Sequence, residues 1–482
     1  MPTETKFNFD NSYLQLPEHF FEKVETQLDK ESTFTLFNTS LAKELGISKN
    51  AQTHLDFILK NQNKTDKQTF AQAYAGHQFG YFNRLGDGRA IMLGEHITPD
   101  ASRFDIQLKG GGDTKFSRGG DGKATYKSML REYIMSEAMH HLGIPTSRSL
   151  GLIKTGEHVY REIVHEGAAL IRVMKSHLRI GTFQYAAHLA SAEDVDQLTV
   201  YTLKRLFPEL LQTENPAIAL LEKLMQNQIE LVANWMRIGF IHGVMNTDNI
   251  SISSETFDYG PCAFMNAYHP QTVFSSIDRN ARYAFGNQPH IIKWNLMRLA
   301  EALLSVIHKD KEVAVELAQA SIHKFDALWN GTYYEKMLQK LGFSQKDKTL
   351  YPLVDEFLSV LQKNKMDYTN SYVALAKEIE AEDKLHENDG FSEWYLKWKK
   401  AIDKHTNLEE AIVLMKKTNP FLIPRNHLVE QVLDEAVKGN MLPFETLLNK
   451  LATPYDYTQE ESEYMHPPKL QFDKNYQTFC GT

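Results

Sequence analysis

Cysteine is nearly absent from this chain. Cys262 and Cys480 are the only two, so no disulfide framework staples the fold, and the expectation is a reducing, cytoplasmic setting. Long apolar runs are missing as well: no stretch approaches the roughly 18 consecutive apolar residues of a membrane-spanning helix, so no membrane partner is expected. The opening MPTETKFNFDNSYLQLPEHFF has no basic segment ahead of an apolar one and no Arg-rich amphipathic pattern, so no targeting segment is expected. Positive charge is not in excess. A net charge of -8 and a pI near 6.2 argue against a nucleic-acid partner, while leaving room for a local basic pocket. No repeat period is visible. What is present is 482 residues, 42% hydrophobic and 24% charged, enough for two lobes with substantial cores.

The chain is organised around FIHGVMNTDNISISSETFDYGPCAF, Phe240 to Phe264. The alternation of Ile250 and Ile252, followed by Ser253, Ser254 and Glu255, reads as loop, strand, turn, strand, with Asp248 and Asp258 at strand ends. Asn249 beside one carboxylate, with a second carboxylate across a hairpin, makes a hard-oxygen set suited to Mg²⁺ and a phosphate, with one aspartate left over as a base. Kinases divide the labour in this way, and DYG stands where their DFG would. In kinases, however, the metal-binding Asn lies further along from the base. An Asx turn at Asp248 and a strand cap at Asp258 account equally well for these residues.

Upstream, AQAYAGHQFGYFNRLGDGRAIMLGEH places glycines among aromatic and apolar residues. This suggests a hairpin with a turn at Leu85 to Arg89, serving either close ligand approach or simple reversal. Phe104, Ile106 and Leu108 mark a strand leading into Lys109 and a second glycine-rich loop, Gly110 to Gly122. Leu130, Ile134, Ala138 and Leu142 then mark a helix that Gly143 and Pro145 stop. Because that helix is apolar on both sides, Glu132 needs a buried cationic partner, and Lys109 is the candidate. Arg172 and Arg179 lie in strand-like, largely apolar sequence, where arginine serves either a planar anion or a salt bridge. A long helix marked by Leu221, Leu224, Leu231 and Trp235 runs into the FIHG segment.

The expectation is an α+β, protein-kinase-like bilobal fold. Residues 1–65 form an irregular N-terminal arm, 66–180 a β-rich N-lobe with the glycine loops, 181–450 a helical C-lobe, and 451–482 an extended tail carrying Cys480.

YAGHQFG, LGDGRA, QLKGGGDTKFSRGGDGKA, HGVMNTDN, DYGP, RYA, IPRNH and TFCGT occur in that order. Together they resemble the selenoprotein O family of pseudokinase-fold protein adenylyltransferases, over about residues 70 to 482. The resemblance implies ATP bound in a flipped orientation and AMP passed to Ser, Thr or Tyr hydroxyls of acceptor proteins, with Mg²⁺ or Mn²⁺ as cofactor. Lys109 would contact the phosphates and pair with Glu132. Gly86, Gly88, Arg89, Asp121, Gly122, Arg172 and Arg179 would line the nucleotide, Asp248 would be the base, and Asn249 and Asp258 would hold the metal, with Asp258 also touching ATP. Cys262 and Cys480 would be a redox pair that pins the tail. Lys115, Lys123, Lys127, Asn266 and Asn280-Ala281 depart from the family pattern. Kinase-type phosphoryl transfer and a non-catalytic ATP-binding scaffold are the rival readings.

Overall fold

The computed structural model describes residues 6–61, 69–377, 388–459 and 462–478. Its N-terminal half is built on a nine-stranded sheet. The strands are β1 (Phe21–Lys23), β2 (Thr33–Phe37), β3 (Phe70–Gln78), β4 (Tyr81–Gly86), β5 (Ala90–Ile97), β6 (Arg103–Lys109), β7 (Ala124–Thr125), β8 (Arg148–Tyr160) and β9 (Val164–Met174). The path runs β1-β3-β5-β6-β9-β8-β2, with β4 added to β3 and β7 to β9. Every pairing is antiparallel. Residues 6–61, expected as an irregular arm, therefore supply two strands, and two helices, α1 (Thr39–Glu44) and α2 (Ala51–Asn61), accompany them. The boundary expected at 65 falls outside the described residues.

α3 (Tyr126–His141) packs on β8 and β9 with nearly every side chain from Met129 to Met139 buried. The Thr125 hydroxyl caps its start by accepting from Ser128 N–H, and Gly143, at φ 75°, ends it. This is the helix the sequence led us to expect. The register of the two central strands then fixes the site. Lys109 lies opposite Leu170, and Gln107 opposite Arg172. Side chains two apart share a sheet face, so Gln107, Lys109 and Arg172 project together toward α3.

The remaining chain is helical, beginning with α4 (Ile180–Leu189), α5 (Ala192–Leu206), α6 (Pro216–Arg237) and α7 (Gln288–Ile307). In α6, Asn215 caps the N-terminus, Pro216 occupies the first turn, and a face running from Leu220 to Trp235 is buried. Gly239, at φ 74°, turns its end into Phe240. The expected strand at Ile250–Ile252 is absent. Instead Phe240–Ile241 (β10) pairs with Ala263–Phe264 (β11), and Ser251 makes an isolated bridge to Arg179.

The tail is docked rather than extended over its described part. A short helix, Leu470–Asn475, is followed by Thr478, which pairs with Ser275. Asn266 accepts from Arg425 at 2.7 Å and donates to Asp473 at 2.8 Å. An amide does both, whereas an acidic residue at 266 would face the Asp473 carboxylate. No helix among the described residues is long and apolar enough to cross a membrane.

Candidate functional site

Lys109 Nζ, at the end of β6, lies 2.5 Å from Glu132 Oε2 and 2.5 Å from Asp258 Oδ1. Arg172 spans the same two carboxylates, with Nη1 3.1 Å from Glu132 and 2.8 Å from Asp258 Oδ1. The Gln107 side-chain oxygen accepts from Arg172 Nε and Nη2 at 3.2 and 2.5 Å, which holds the guanidinium flat against the strand. The buried Lys–Glu pair that the apolar helix required is thus present, extended to the DYG aspartate by a second cation. Burial alone would raise the Asp258 carboxyl, but Lys109, Arg172 and Arg179 hold it well below the usual carboxylate range. Both cationic contacts fall on Oδ1. Asp258 also sits at φ 61°, a left-handed conformation that costs a non-glycine residue about 1–3 kcal/mol.

Asp248 lies in a single 3₁₀ turn, Thr247–Asn249, clamped from two sides. From β3 and the turn that follows it, His77 N–H donates to Thr247 Oγ1 at 2.7 Å and Phe79 N–H to Asn246 Oδ1 at 3.1 Å. From the other side, Ile180 N–H donates to the Ile250 carbonyl at 3.0 Å and Arg179 to the Asp248 carbonyl at 3.2 Å. Gln78 donates to Asp248 Oδ2 at 3.3 Å, whereas Oδ1 is buried with no partner. Burial pushes the Asp248 carboxyl up to about 6. Two aspartates ten positions apart are therefore driven in opposite directions, one held ionised and one made a stronger base. Asn249 donates its amide to the Val244 carbonyl at 3.1 Å, which leaves its side-chain oxygen as an acceptor. That oxygen and the Asp258 carboxylate are the hard-oxygen donors this stretch could offer a divalent cation, a number that suits Mg²⁺ when phosphates and water complete its shell. Among the described residues no group of three or more His, Cys, Asp and Glu gathers as a metal site.

The glycine-rich segments divide into two groups. A Cβ on Gly86 would meet the Phe116 ring at 2.3 Å, and one on Gly88 the Phe116 carbonyl at 2.8 Å. These glycines let the 110–122 loop lie against the β4–β5 connection. Gly122, at φ 65°, packs on the Gly112 backbone, and Gly110 N–H donates to the Arg89 carbonyl at 2.7 Å. Asp121 stands apart from the buried cluster. It is exposed and paired with Arg161 at 2.8 Å, which lowers its pKa. The tight hairpin turn is at Phe79–Gly80 between β3 and β4, both with positive φ, and not at Leu85–Arg89, which carries β4 onward into β5.

Gly76 behaves differently. A Cβ there would stand 2.8 Å from Asp248 Oδ1 and 2.9 Å from Thr247 Oγ1. Gly76→Ala should therefore displace the aspartate while leaving the fold intact. The expected result is a loss of about 10²-fold in activity, the scale for a misplacement near 1 Å, with the melting temperature nearly unchanged.

The model described as protein adenylyltransferase SelO matches residues 3–452. This chain belongs to the SelO family. Its relatives include the protein nucleotidyltransferase YdiU of Bacillus mycoides (strain KBAB4), 47% identical over 486 residues and covering 99% of each chain. Those of Clostridium perfringens (strain SM101) and Brevibacillus brevis (strain 47) are 46% and 48% identical over 484 residues. Among solved structures, a Toxoplasma gondii rhoptry antigen kinase domain overlaps 65% of this chain and 88% of its own length at 13% identity and TM-score 0.25. ROP2 from the same organism, described as having a protein-kinase fold and no enzymatic activity, overlaps 68% of this chain and 97% of its own length at TM-score 0.26. The kinase-like reading rests instead on a sheet-borne lysine paired with a helix glutamate and a DFG-type aspartate.

Sequence reasoning missed several residues that build this SelO site. Asp87 is buried between Gly86 and Gly88, accepting from Gln72 N–H at 3.3 Å, Gln107 at 3.2 Å and Arg179 at 3.4 Å. Burial raises its pKa. Arg179 also stacks 4.1 Å from the Tyr74 ring centroid, so it is fixed on two sides. Asn246 accepts from Phe79 N–H and from the Tyr283 hydroxyl, joining β3 to the segment before α7. The signal for Asn246 was its place in NTDN. For Asp87 the flanking glycines read only as a turn.

Proposed function

We propose that this SelO-family chain transfers AMP from ATP to Ser, Thr or Tyr hydroxyls of acceptor proteins, with release of pyrophosphate. The reading is carried by membership of a family described as protein adenylyltransferases, matched over residues 3–452, and is supported by a buried Asp248 Oδ1 left without a partner while Asp258 is paired with Lys109 and Arg172. Asp248 Oδ1, buried and unpartnered, accepts the proton of the acceptor hydroxyl as that oxygen attacks the α-phosphorus. The P–O bond to pyrophosphate breaks on the opposite side, and the electron pair leaves with pyrophosphate. Lys109, Arg89, Arg172 and Arg179 hold the leaving phosphates and offset their growing charge. Asp258 and Asn249 would hold Mg²⁺, or Mn²⁺ in its place, which when bound supplies Lewis-acid charge stabilisation on the phosphates. Gly86, Gly88 and Gly122 would shape the approach of the nucleotide indirectly, by seating the 110–122 loop on the β4–β5 connection, and Asp121 would meet it only from the exposed rim. A near absence of cysteine fits action in the cytoplasm. The test is product analysis with ATP and an acceptor protein: pyrophosphate in step with labelled acceptor supports the reading, and ADP in its place refutes it.

The redox pairing of Cys262 and Cys480 belongs to the same proposal. Cys262 is buried, its thiol pushed up to about 12 by burial, with the Tyr259 carbonyl 3.5 Å away. Such a thiol is inert until exposed. Cys480 lies outside the described residues, but Thr478 donates to the Pro261 carbonyl at 2.7 Å, so the chain is led to the neighbour of Cys262. Reductant should change transfer by the wild type and leave Cys480→Ser unresponsive. An equal response from both proteins would remove the redox pair.

A further inference from the structure

Next to the Asn246–Asp248 turn lies a cavity of about 740 Å³, lined in part by Phe79, Tyr81, Ile277, Arg279, Arg282 and His290. It shares no residue with the nucleotide-facing cations, yet it adjoins the base through two short links. Phe79 follows Gln78, the residue that touches Asp248 Oδ2, and Phe79 N–H and the Tyr283 hydroxyl both donate to Asn246, two residues before Asp248. The Phe79 ring, part of the lining, meets the buried Tyr283 ring edge-on at 5.2 Å.

The chemistry of the cavity is apolar and cationic together. Tyr81 is 78% exposed and Ile277 49%, an unusual display of large apolar side chains at one mouth. Arg279 is exposed, and the Arg282 guanidinium lies 4.8 Å from the Trp294 ring centroid with its Nε buried and unpartnered. The one acidic residue in the lining, Asp278, is buried and turned to the backbone N–H groups of Arg282 and Tyr283, at 2.9 and 2.7 Å, so it offsets the two arginines only in part. Arg298, 5.3 Å from the same Trp294 ring centroid, is paired with Glu301 at 2.6 Å. Two arginines thus face the opening of a chain whose net charge is -8, so this cationic patch is local. Its volume suits a few side chains of a bound peptide.

Building on the acceptor-protein reading above, we infer that this cavity is the acceptor subsite. It takes a segment in which the target hydroxyl is flanked by a carboxylate side chain, held by Arg279 and Arg282, and by an apolar residue set against Phe79, Tyr81 and Ile277. The hydroxyl then reaches Asp248 from the Asn246 side while ATP occupies the cluster around Lys109. Arginine suits the role because its planar fork accepts a carboxylate bidentately.

The test uses the full-length protein with α-labelled ATP and two synthetic peptide pools, each with Ser, Thr or Tyr at the centre, flanked by Glu in one pool and Lys in the other. Wild type should use the Glu pool measurably better in kcat/KM, by up to about fivefold, the upper end for one partly exposed ion pair. Arg279→Glu should abolish or invert that preference through the peptide KM with the ATP KM unchanged, and Arg282→Lys should retain more of it than Arg282→Gln. Equal use of the two pools by wild type, or losses that fall equally on both, overturns the inference. If neither pool is labelled, fluorescence anisotropy of the same pools decides: tighter binding of the Glu pool, lost in Arg279→Glu, upholds it, and equal binding overturns it. Label entering the Glu pool only from γ-labelled ATP would refute AMP transfer and leave the acceptor subsite standing.

Discussion

Asp248→Asn should lower AMP transfer by roughly 10²–10⁴-fold, the range for a lost general base, while ATP still binds with near wild-type affinity. The carboxylate is replaced by an amide of the same shape, so the turn clamped by His77, Phe79, Ile180 and Arg179 keeps its hydrogen bonds. The pH dependence carries the sign. Only the ionised carboxylate accepts a proton, and burial places its titration at about 6, so wild-type kcat should rise with pH up to about 6 and level off above it. In Asp248→Asn the residual rate should lack that limb. Stability should move the other way. A folded pKa raised above the unfolded value means that the folded state binds the proton more tightly, so Asp248 costs stability progressively as pH rises from near 4 through 6. Above pH 7 the variant should therefore melt higher, by up to roughly 3 kcal/mol of unfolding free energy. Lower activity with a higher melting temperature is the signature of a site residue held in an unfavourable setting. A variant with unchanged kcat, or one that loses ATP binding in proportion, would remove Asp248 from the base role.

Lys109→Met should reduce transfer to below about a tenth of wild type with the fold retained. The long apolar stem is preserved, and Arg172 still spans Glu132 and Asp258 at 3.1 and 2.8 Å, so neither carboxylate is left without a cation. What is lost is one of the charges facing the leaving phosphates and part of the field that holds Asp258 ionised. Asp258→Ala should be more severe for nucleotide binding than Asp248→Asn, because it removes a proposed metal ligand and leaves Lys109 and Arg172 competing for Glu132. Titration of Mg²⁺-dependent ATP binding separates the two: weakened binding in Asp258→Ala with near-normal binding in Asp248→Asn is the expected pattern. Equal losses would show that the two aspartates have been given the wrong roles.

The parts of this site that were legible in the sequence are those whose physics is local or forced. A glutamate inside a helix apolar on both sides must be paired, and the strand ending at Lys109 supplied the cation; the 2.5 Å contact follows from that constraint. The DYG and NTDN residues stood out because their chemistry is compressed into one short stretch. The alternation of Ile250 and Ile252 misled for a definable reason. Both are buried, at 2% and 0% exposure, but beneath α6 and the Arg179 segment rather than in a ladder, and period-two burial alone does not distinguish the two. Asp87 was hidden because an aspartate between glycines has a sufficient explanation as a turn; its partners Gln107 and Arg179 come from distant strands and segments. β2 escaped notice because it is five residues long and pairs with β8, Thr33 opposite Lys154, a non-local contact that no window of sequence contains. The tail gave the same difficulty: its docking depends on Asn266 and Pro261, far back in the chain.

The central claim is that the α-phosphorus, and not the γ-phosphorus, is the centre attacked. It is tested most directly by incubating the protein and an acceptor protein with α-labelled and γ-labelled ATP in parallel, with Mg²⁺ present, and following label into the acceptor. The account expects label from the α position alone, lost in Asp248→Asn. Label from the γ position alone would contradict it and make the chain a conventional kinase, and no label from either, with ATP still bound, would contradict it by making the chain a scaffold.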